Sequence, residues 1–293
     1  MSFTIKIADC NDPGVDLALR NLFAAAYHHE LHLPEKFLAA QLDSKASMPG
    51  FFLVAEENNE IIGCNGFLAN DFTLTGRHYV GFQSFCAATH PAHQGRKIFS
   101  GINDEAKKIL KEKGAGFIYG IANEKSNPIL KNKLDFIEIP ALVLRIPNIP
   151  FFKRKYFRKS TLLKTGNACT INEVQVKDHK LAQFPSLVKL VTVDESWLWG
   201  KLIKKRKFGL SIPVFYIGGV QLNAAKDLEI LIDKIFKVYK PWGVQFFSCS
   251  SNTVNDLLVG WKKPKKMNGF IFHNLNMPAF DHFNMMIGPI DVF

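Results

Sequence analysis

The segment THPAHQGRKIFSGIND, residues 89–104, places Gln94, Gly95, Arg96 and Lys97 between the end of a strand and the start of a helix. The first amides of a helix have no carbonyl partner and lie at the positive end of its dipole, so such an entrance attracts anions. A phosphate-bearing ligand fits there; a plain turn is the alternative. Other chemistry-bearing pairs read as structural. His28 and His32 share one face of a helix, but residue 33 is leucine, so the pair is not the HExxH metal motif and no metal site is expected. Cys86 lies near His90 without a nucleophile elbow and reads as a buried strand thiol. Trp197, Trp199, Trp242 and Trp261 could line a sugar cleft, with core packing as the default.

The flanking elements follow from periodicity. FTIKIAD alternates as a strand, and Asp12-Pro13 starts a helix over GVDLALRNLFAAAYHHEL. EKFLAAQL is a second short helix, and GFFLVAEENNEIIGCNGFLAND is a hairpin turning at Glu57–Asn59. RHYVGFQSFCAAT is a long strand. Residues 98–113 form an amphipathic helix with Ile98, Ile102, Ala106, Ile109 and Leu110 on one face, stopped by Gly114 and Gly116. FIYGIAN is a buried strand, a short helix begins near Ser126, and DFIEIPALVLRIP is expected to complete the sheet. This order predicts an α+β fold. The prolines at 140, 147 and 150, with KRKYFRK, mark a domain junction, giving domains 1–148 and 149–293. In the second half we expect a helix near 179–192, a strand IPVFYIGGVQL, a helix over 225–239 and a strand GVQFFSCS. That order echoes the first half.

With 293 residues, 47% hydrophobic and 22% charged, the chain is globular and long enough for two domains. Its 26 phenylalanines imply a large aromatic core. Five cysteines without short spacings exclude CxxC motifs and suggest reduced, buried thiols; with no signal peptide or membrane-spanning run, a soluble cytoplasmic protein is expected. Residues 1–147 carry 15 Lys+Arg against 16 Asp+Glu, and residues 148–293 carry 22 against 10. The net charge of +11 therefore lies entirely in the second half, which implies an anionic partner or a solvated surface. The basic runs FFKRKYFRK, KLIKKRK and KKPKK carry no nucleic-acid signature, and no specific nucleic acid is expected; peripheral membrane contact is left open.

Strand, THPAHQGRKI, amphipathic helix, strand ending at Asn123, then NEKSNPILKNKLDFIEI resembles the Gcn5-related N-acetyltransferase (GNAT) superfamily. HPAHQGRKIFSGI, PNIPFF and the terminal GPIDVF resemble, more narrowly, bacterial acyltransferases of surface-polysaccharide gene clusters with a tandem of two GNAT-like domains, the second degenerate. The resemblance implies a GNAT fold, a mixed and mostly antiparallel sheet flanked by helices, with acetyl-CoA or another acyl-CoA as co-substrate. Gln94 and Arg96 would hold the loop and neutralise phosphate while the amides of Gly95, Arg96, Lys97, Ile98 and Phe99 wrap the diphosphate. Ala87, Ala88 and Thr89, with Asn123 and Ser126, complete the implied cofactor site.

Several positions depart from the family pattern: Lys97 and Phe99 replace motif small residues, and Lys131 stands where relatives carry a proton-donating tyrosine. Asp135 replaces a further glycine, and residues 78–89 hold no carboxylate. The implied reaction is N-acyl transfer by direct attack of an amine, such as that of a phosphate-linked amino sugar, with an oxyanion held by a backbone N–H near Ala87 or Ala88. Candidate proton acceptors are His78, Gln83, His90 and Glu30. Alternatives are an inactive binding protein on the same scaffold and an aminoacyl-tRNA-dependent transferase.

Overall fold

The computed structural model describes residues 3–27, 33–139, 141–148, 168–207, 209–248, 265–267 and 269–285. The first half runs β1 (Thr4–Ala8), α1 (Pro13–Ala26), α2 (Phe37–Leu42), β2 (Phe51–Glu57), β3 (Glu60–Leu74), β4 (Arg77–Thr89), α3 (Ile98–Glu112), β5 (Phe117–Ile121), α4 (Ser126–Lys133), β6 (Ile137–Glu138) and β7 (Ala141–Pro147). The second half runs β8 (Ala168–Ile171), α5 (Glu173–Gln183), β9 (Val188–Val193), β10 (Ser196–Lys207), β11 (Leu210–Gln221), α6 (Ala225–Tyr239), β12 (Gly243–Ser248), β13 (Lys265–Met267), β14 (Phe270–Asn274) and β15 (His282–Asn284). Glu30, His28, His32, Cys249, Trp261, the FFKRKYFRK run and the tail lie outside the described residues.

Two mixed sheets result. The first is ordered β1-β2-β3-β4-β5-β14-β6, with β8 beside the outer part of β3 and β15 beside β8. The second is ordered β13-β7-β12-β11-β10-β9. Each contains three antiparallel strands, a helical crossover to a parallel strand, and a further antiparallel strand. The crossover is β4–α3–β5 in one sheet and β11–α6–β12 in the other. The closing strand is exchanged: β14 from the second half completes the first sheet, and β7 from the first half completes the second. DFIEIPALVLRIP therefore does not complete the first sheet; only Ile137–Glu138 remain there, beside β14.

Local chemistry explains the helices. Asp12 accepts from the Val15 amide at 2.9 Å, Pro13 opens α1, and Leu19, Leu22 and Phe23 face the sheet. On α3, Ile98, Ile102, Ala106 and Leu110 recur at four-residue spacing against β2, β3 and β4, and Gly114 leaves the helix at φ 78°. Leu228, Leu231, Ile232 and Ile235 of α6 do the same for the second sheet. The helix expected at 179–192 is instead α5, ending at Gln183, and strand β9. Pro185 stops the helix, and Val188, Val191, Thr192 and Val193 are β-branched, which suits a strand.

Helix α5 ties the second half to the first. Gln175 bonds the Asp71 carboxylate (2.9 Å) and the Lys45 carbonyl (2.8 Å), and Lys180 donates to Gln41 at 2.8 Å. His179, buried, donates from Nε2 to the Ala40 carbonyl at 3.1 Å. Burial, helped by the Lys180 charge, lowers its pKa to about 4. The unfolded chain takes up that proton near 6.5, so stability should fall between about pH 6.5 and pH 4 and then level off. The expected loss is about 3 kcal/mol. Urea denaturation of His179→Gln, which keeps a donor for Ala40, should lack that slope.

Candidate functional site

β4 and β5 run parallel only from Gly81↔Phe117 to Ser84↔Gly120. Beyond Ser84, β4 continues to Thr89 with no described strand on its β5 side. A β-bulge explains the parting. The β3 register passes from Phe85↔Gly66 to Ala88↔Cys64, so Cys86 and Ala87 oppose Asn65 alone, and Cys86 adopts φ 51°. An extra residue bends the strand and sharpens its twist.

The bulge is held from both faces. On one, the Tyr27 hydroxyl at the end of α1 donates to the Ala87 carbonyl at 3.0 Å, and the Cys64 thiol contacts the Cys86 carbonyl at 3.6 Å. On the other, fully buried Asn65 donates to Ser84 Oγ at 3.0 Å and to Asn103 Oδ1 at 3.2 Å, while Ser84 donates back to Asn65 Oδ1 at 3.1 Å. Asn103, one turn into α3, donates to the Phe99 carbonyl at 2.8 Å. Asn65, Ser84 and Asn103 thus link the bulge to the first turn of α3. Sequence reasoning missed these three residues, Tyr27 and Glu57. The glycine-flanked asparagine of GCNGF, polar within an apolar strand, was the available signal for Asn65.

The loop after β4 makes a helix entrance without a side-chain cap. Gly95 has φ 80° with open space where a Cβ would stand, and Lys97, at φ 62°, occupies the cap position of α3. Gln94 and Lys97 are exposed. Arg96, expected to meet phosphate, is turned instead to Glu57 at the end of β2, with two nitrogens at 2.8 and 2.7 Å from its two carboxylate oxygens. It also lies 2.6 Å from His93 Nδ1. This fork pins the loop to the sheet. Hydrogen bonding to Arg96 holds the Glu57 carboxyl below its ordinary range. The pin is therefore complete at neutral pH and is lost as pH falls through that lowered value. Hydrogen exchange of the residue 93–98 amides should be unchanged from about pH 8 to pH 6 after correction for intrinsic rates, and Glu57→Gln should show faster exchange throughout.

Other expected site residues fall in varied places. Asn123 and Ser126 complete one another at the head of α4: Asn123 Oδ1 accepts from the Ser126 amide at 2.9 Å, and Ser126 Oγ accepts from the Asn123 amide at 3.0 Å. Lys131 donates to Glu138 at 2.8 Å, and Glu138 also accepts from the Gly269 amide at 2.8 Å. His90 sits in the loop, its Nδ1 accepting from the Ala92 amide at 3.3 Å. Gln83 is buried in mid-strand. His78 lies at the opposite end of β4, about 36 Å along the strand from Thr89 at its usual rise. There Nε2 meets both Ser47 Oγ (3.3 Å) and Asp71 Oδ1 (3.1 Å). A serine–histidine relay needs its two partners on different ring nitrogens, so this cluster is not one. Burial pushes the Cys10 and Cys169 thiols up to about 12 and raises Cys64 as well, which leaves all three protonated. An open cleft of about 600 Å³, lined by Asp9, Lys36, Asp43, Phe51 and Gln183, lies at the β1 edge, three strands from β4. It is separate from the strand–helix site.

The second sheet repeats the arrangement with its openings filled. β11 and β12 pair only from Val214↔Gly243 to Ile217↔Phe246, and β11 then has a register shift at Gly218–Gly219. The Trp199 ring occupies the space where Cβ atoms on those glycines would stand. At the start of α6, the buried Asp227 carboxylate accepts from the Ala224 amide at 2.9 Å and from Ser196 Oγ at 2.7 Å. A protein carboxylate therefore already stands at the start of α6.

Residues 17–132 match the family model of the acetyltransferase (GNAT) domain. No curated protein matches the sequence. Among solved structures, a GCN5-related N-acetyltransferase from Anabaena variabilis superposes with TM-score 0.65 at 10% identity, over 94% of this chain and 73% of that one. Another from Kribbella flavida gives 0.62 at 9% identity, over 94% and 72%. Eis1 from Mycobacterium abscessus gives 0.55 at 12% identity, over 94% and 74%. At such identities the likeness is one of fold. The parted β4 and β5 and the uncapped α3 both fall within residues 17–132, and that part of the chain is an acetyltransferase (GNAT) domain.

Proposed function

We propose that this chain is an acyl-CoA-dependent N-acyltransferase that takes acetyl-CoA or a related acyl-CoA at the first sheet. One observation carries the reading: a bulged strand parts from its neighbour and leads straight into a helix N-terminus that no side chain caps. The amides of Gly95 to Phe99 would hold the diphosphate, with Lys97 beside it, and the acyl arm would lie along Phe85–Thr89. A backbone N–H near Ala87 or Ala88 would stabilise the oxyanion formed when a neutral amine attacks the thioester carbonyl. In the division of labour we propose, 1–148 supplies the cofactor site and 149–293 is degenerate. The Asp227 carboxylate and the Trp199 ring support one cofactor per chain.

Among the described residues, proton transfer finds little help. β4 carries no carboxylate, and Lys131 is engaged by Glu138. A thiol of pKa about 8.5 leaves as its anion without prior protonation, and the amine's proton passes to water. The rate constant kcat/KM should therefore rise tenfold per pH unit up to the pKa of the acceptor amine. A break set by an enzyme group near pH 6.5 would contradict this. The basic second half favours an anionic acceptor such as a phosphate-linked amino sugar, for which raising salt should increase KM strongly.

The test is release of free coenzyme A thiol from acetyl-CoA with a panel of neutral and phosphate-bearing amines. Amine-dependent release supports transfer. Acetyl-CoA binding without release for any amine would favour a non-catalytic binding protein, the reading that the Lys131–Glu138 pair supports.

A further inference from the structure

The β10–β11 hairpin extends past the second sheet. β9 accompanies β10 only as far as Lys201, and β12 accompanies β11 only from Val214. Lys204–Lys207 and Leu210–Pro213 therefore pair with each other and with no third strand among the described residues. At the usual rise per residue, this ribbon reaches about 13 Å beyond its neighbours. A two-stranded ribbon is only marginally stable alone in water.

Its composition is one-sided. From Ser196 to Gln221 the sequence contains Lys201, Lys204, Lys205, Arg206 and Lys207 and no acidic residue. Lys204, Lys205 and Arg206 are exposed. So are two aliphatic side chains, Leu202 at 40% and Leu210 at 61%, the second beside the turn. Consecutive cations along β10, which alternate between the two faces of the ribbon, would suit any polyanion. An exposed leucine at the tip gains nothing from a phosphate backbone, but it gains from the boundary between lipid headgroups and acyl chains. We propose that this hairpin is a membrane-surface anchor that docks the protein tip-first on a bilayer containing anionic lipid, with the cations of β10 at phosphate level and Leu210, paired with Lys207 at the turn, below them. This inference does not depend on acyl transfer.

The experiment is co-sedimentation of the full chain with vesicles of phosphatidylcholine alone, or with about a third of the lipid replaced by phosphatidylglycerol. It is run at about 0.1 M salt, where screening extends over about 10 Å. Binding is expected only to the anionic vesicles. A cation near such a surface contributes about fivefold, so K204E/K205E/R206E should bind about 100-fold more weakly. The same reversals at Lys108, Lys111 and Lys133 should have much less effect, and L210S should weaken binding at unchanged charge. Thermal melts establish that each variant is folded. Equal loss in the two triple variants, undiminished binding of the hairpin variant, or tight binding to a tRNA-sized RNA without vesicle binding would overturn the proposal.

Discussion

Ser100→Asp should abolish high-affinity acetyl-CoA binding while making the protein more stable. Ser100 is the third residue of α3, and Asp227 is the third residue of α6. The substitution would give the first helix the carboxylate that already fills the second. An aspartate there can satisfy free amides and interact well with the helix dipole, which is worth about 0.5–1 kcal/mol. The same negative charge, about 5 Å from a phosphate at an effective dielectric of about 20, repels it by about 3 kcal/mol. Affinity measured by calorimetry should fall at least about 100-fold. Thermal melting should rise by a few degrees at most, about the gain expected of such a cap. Equal affinity in wild type and variant would place the diphosphate elsewhere.

Asn65→Leu should have the largest effect on stability. The side chain is fully buried between β4 and α3, and its amide serves both Ser84 and Asn103. Leucine fills a similar volume but leaves those two groups short of partners, each at about 1–3 kcal/mol, so a loss of about 2–6 kcal/mol is expected in urea denaturation. Ser84→Ala removes one partner and should cost less. Because the network joins the bulge to the helix entrance, the surviving folded Asn65→Leu protein should also bind acetyl-CoA more weakly. Unchanged stability would show that the bulge is fixed by strand pairing alone.

How much of this was legible beforehand follows from the range of the interactions. The four-residue spacing of Ile98, Ile102, Ala106 and Leu110 specifies α3 locally, and Gly95 marks the turn ahead of it, so the helix entrance was readable. The same holds for α6, whose expected span of 225–239 matches the structure. Strand exchange was not readable. ALVLRIP and FIFHN both alternate as sheet strands, and nothing in either pattern says which of two sheets will pair with it. Arg96 shows a similar limit. A cation beside a glycine turn suits a phosphate, but Glu57, 39 residues earlier, reaches it first. The filled second entrance depended on Ser196 and Asp227 meeting across 31 residues. Pro185, by contrast, was a local stop signal, and the helix read through it should have ended there.

The central claim is that acetyl-CoA binds at the parted β4 and the uncapped start of α3. Calorimetric titration of the intact chain with acetyl-CoA tests it most directly. The account predicts one site per chain with micromolar affinity, lost in Ser100→Asp but retained when Asp227 at the second entrance is changed to Asn. Two sites, affinity indifferent to Ser100→Asp, or no heat up to millimolar ligand would contradict it.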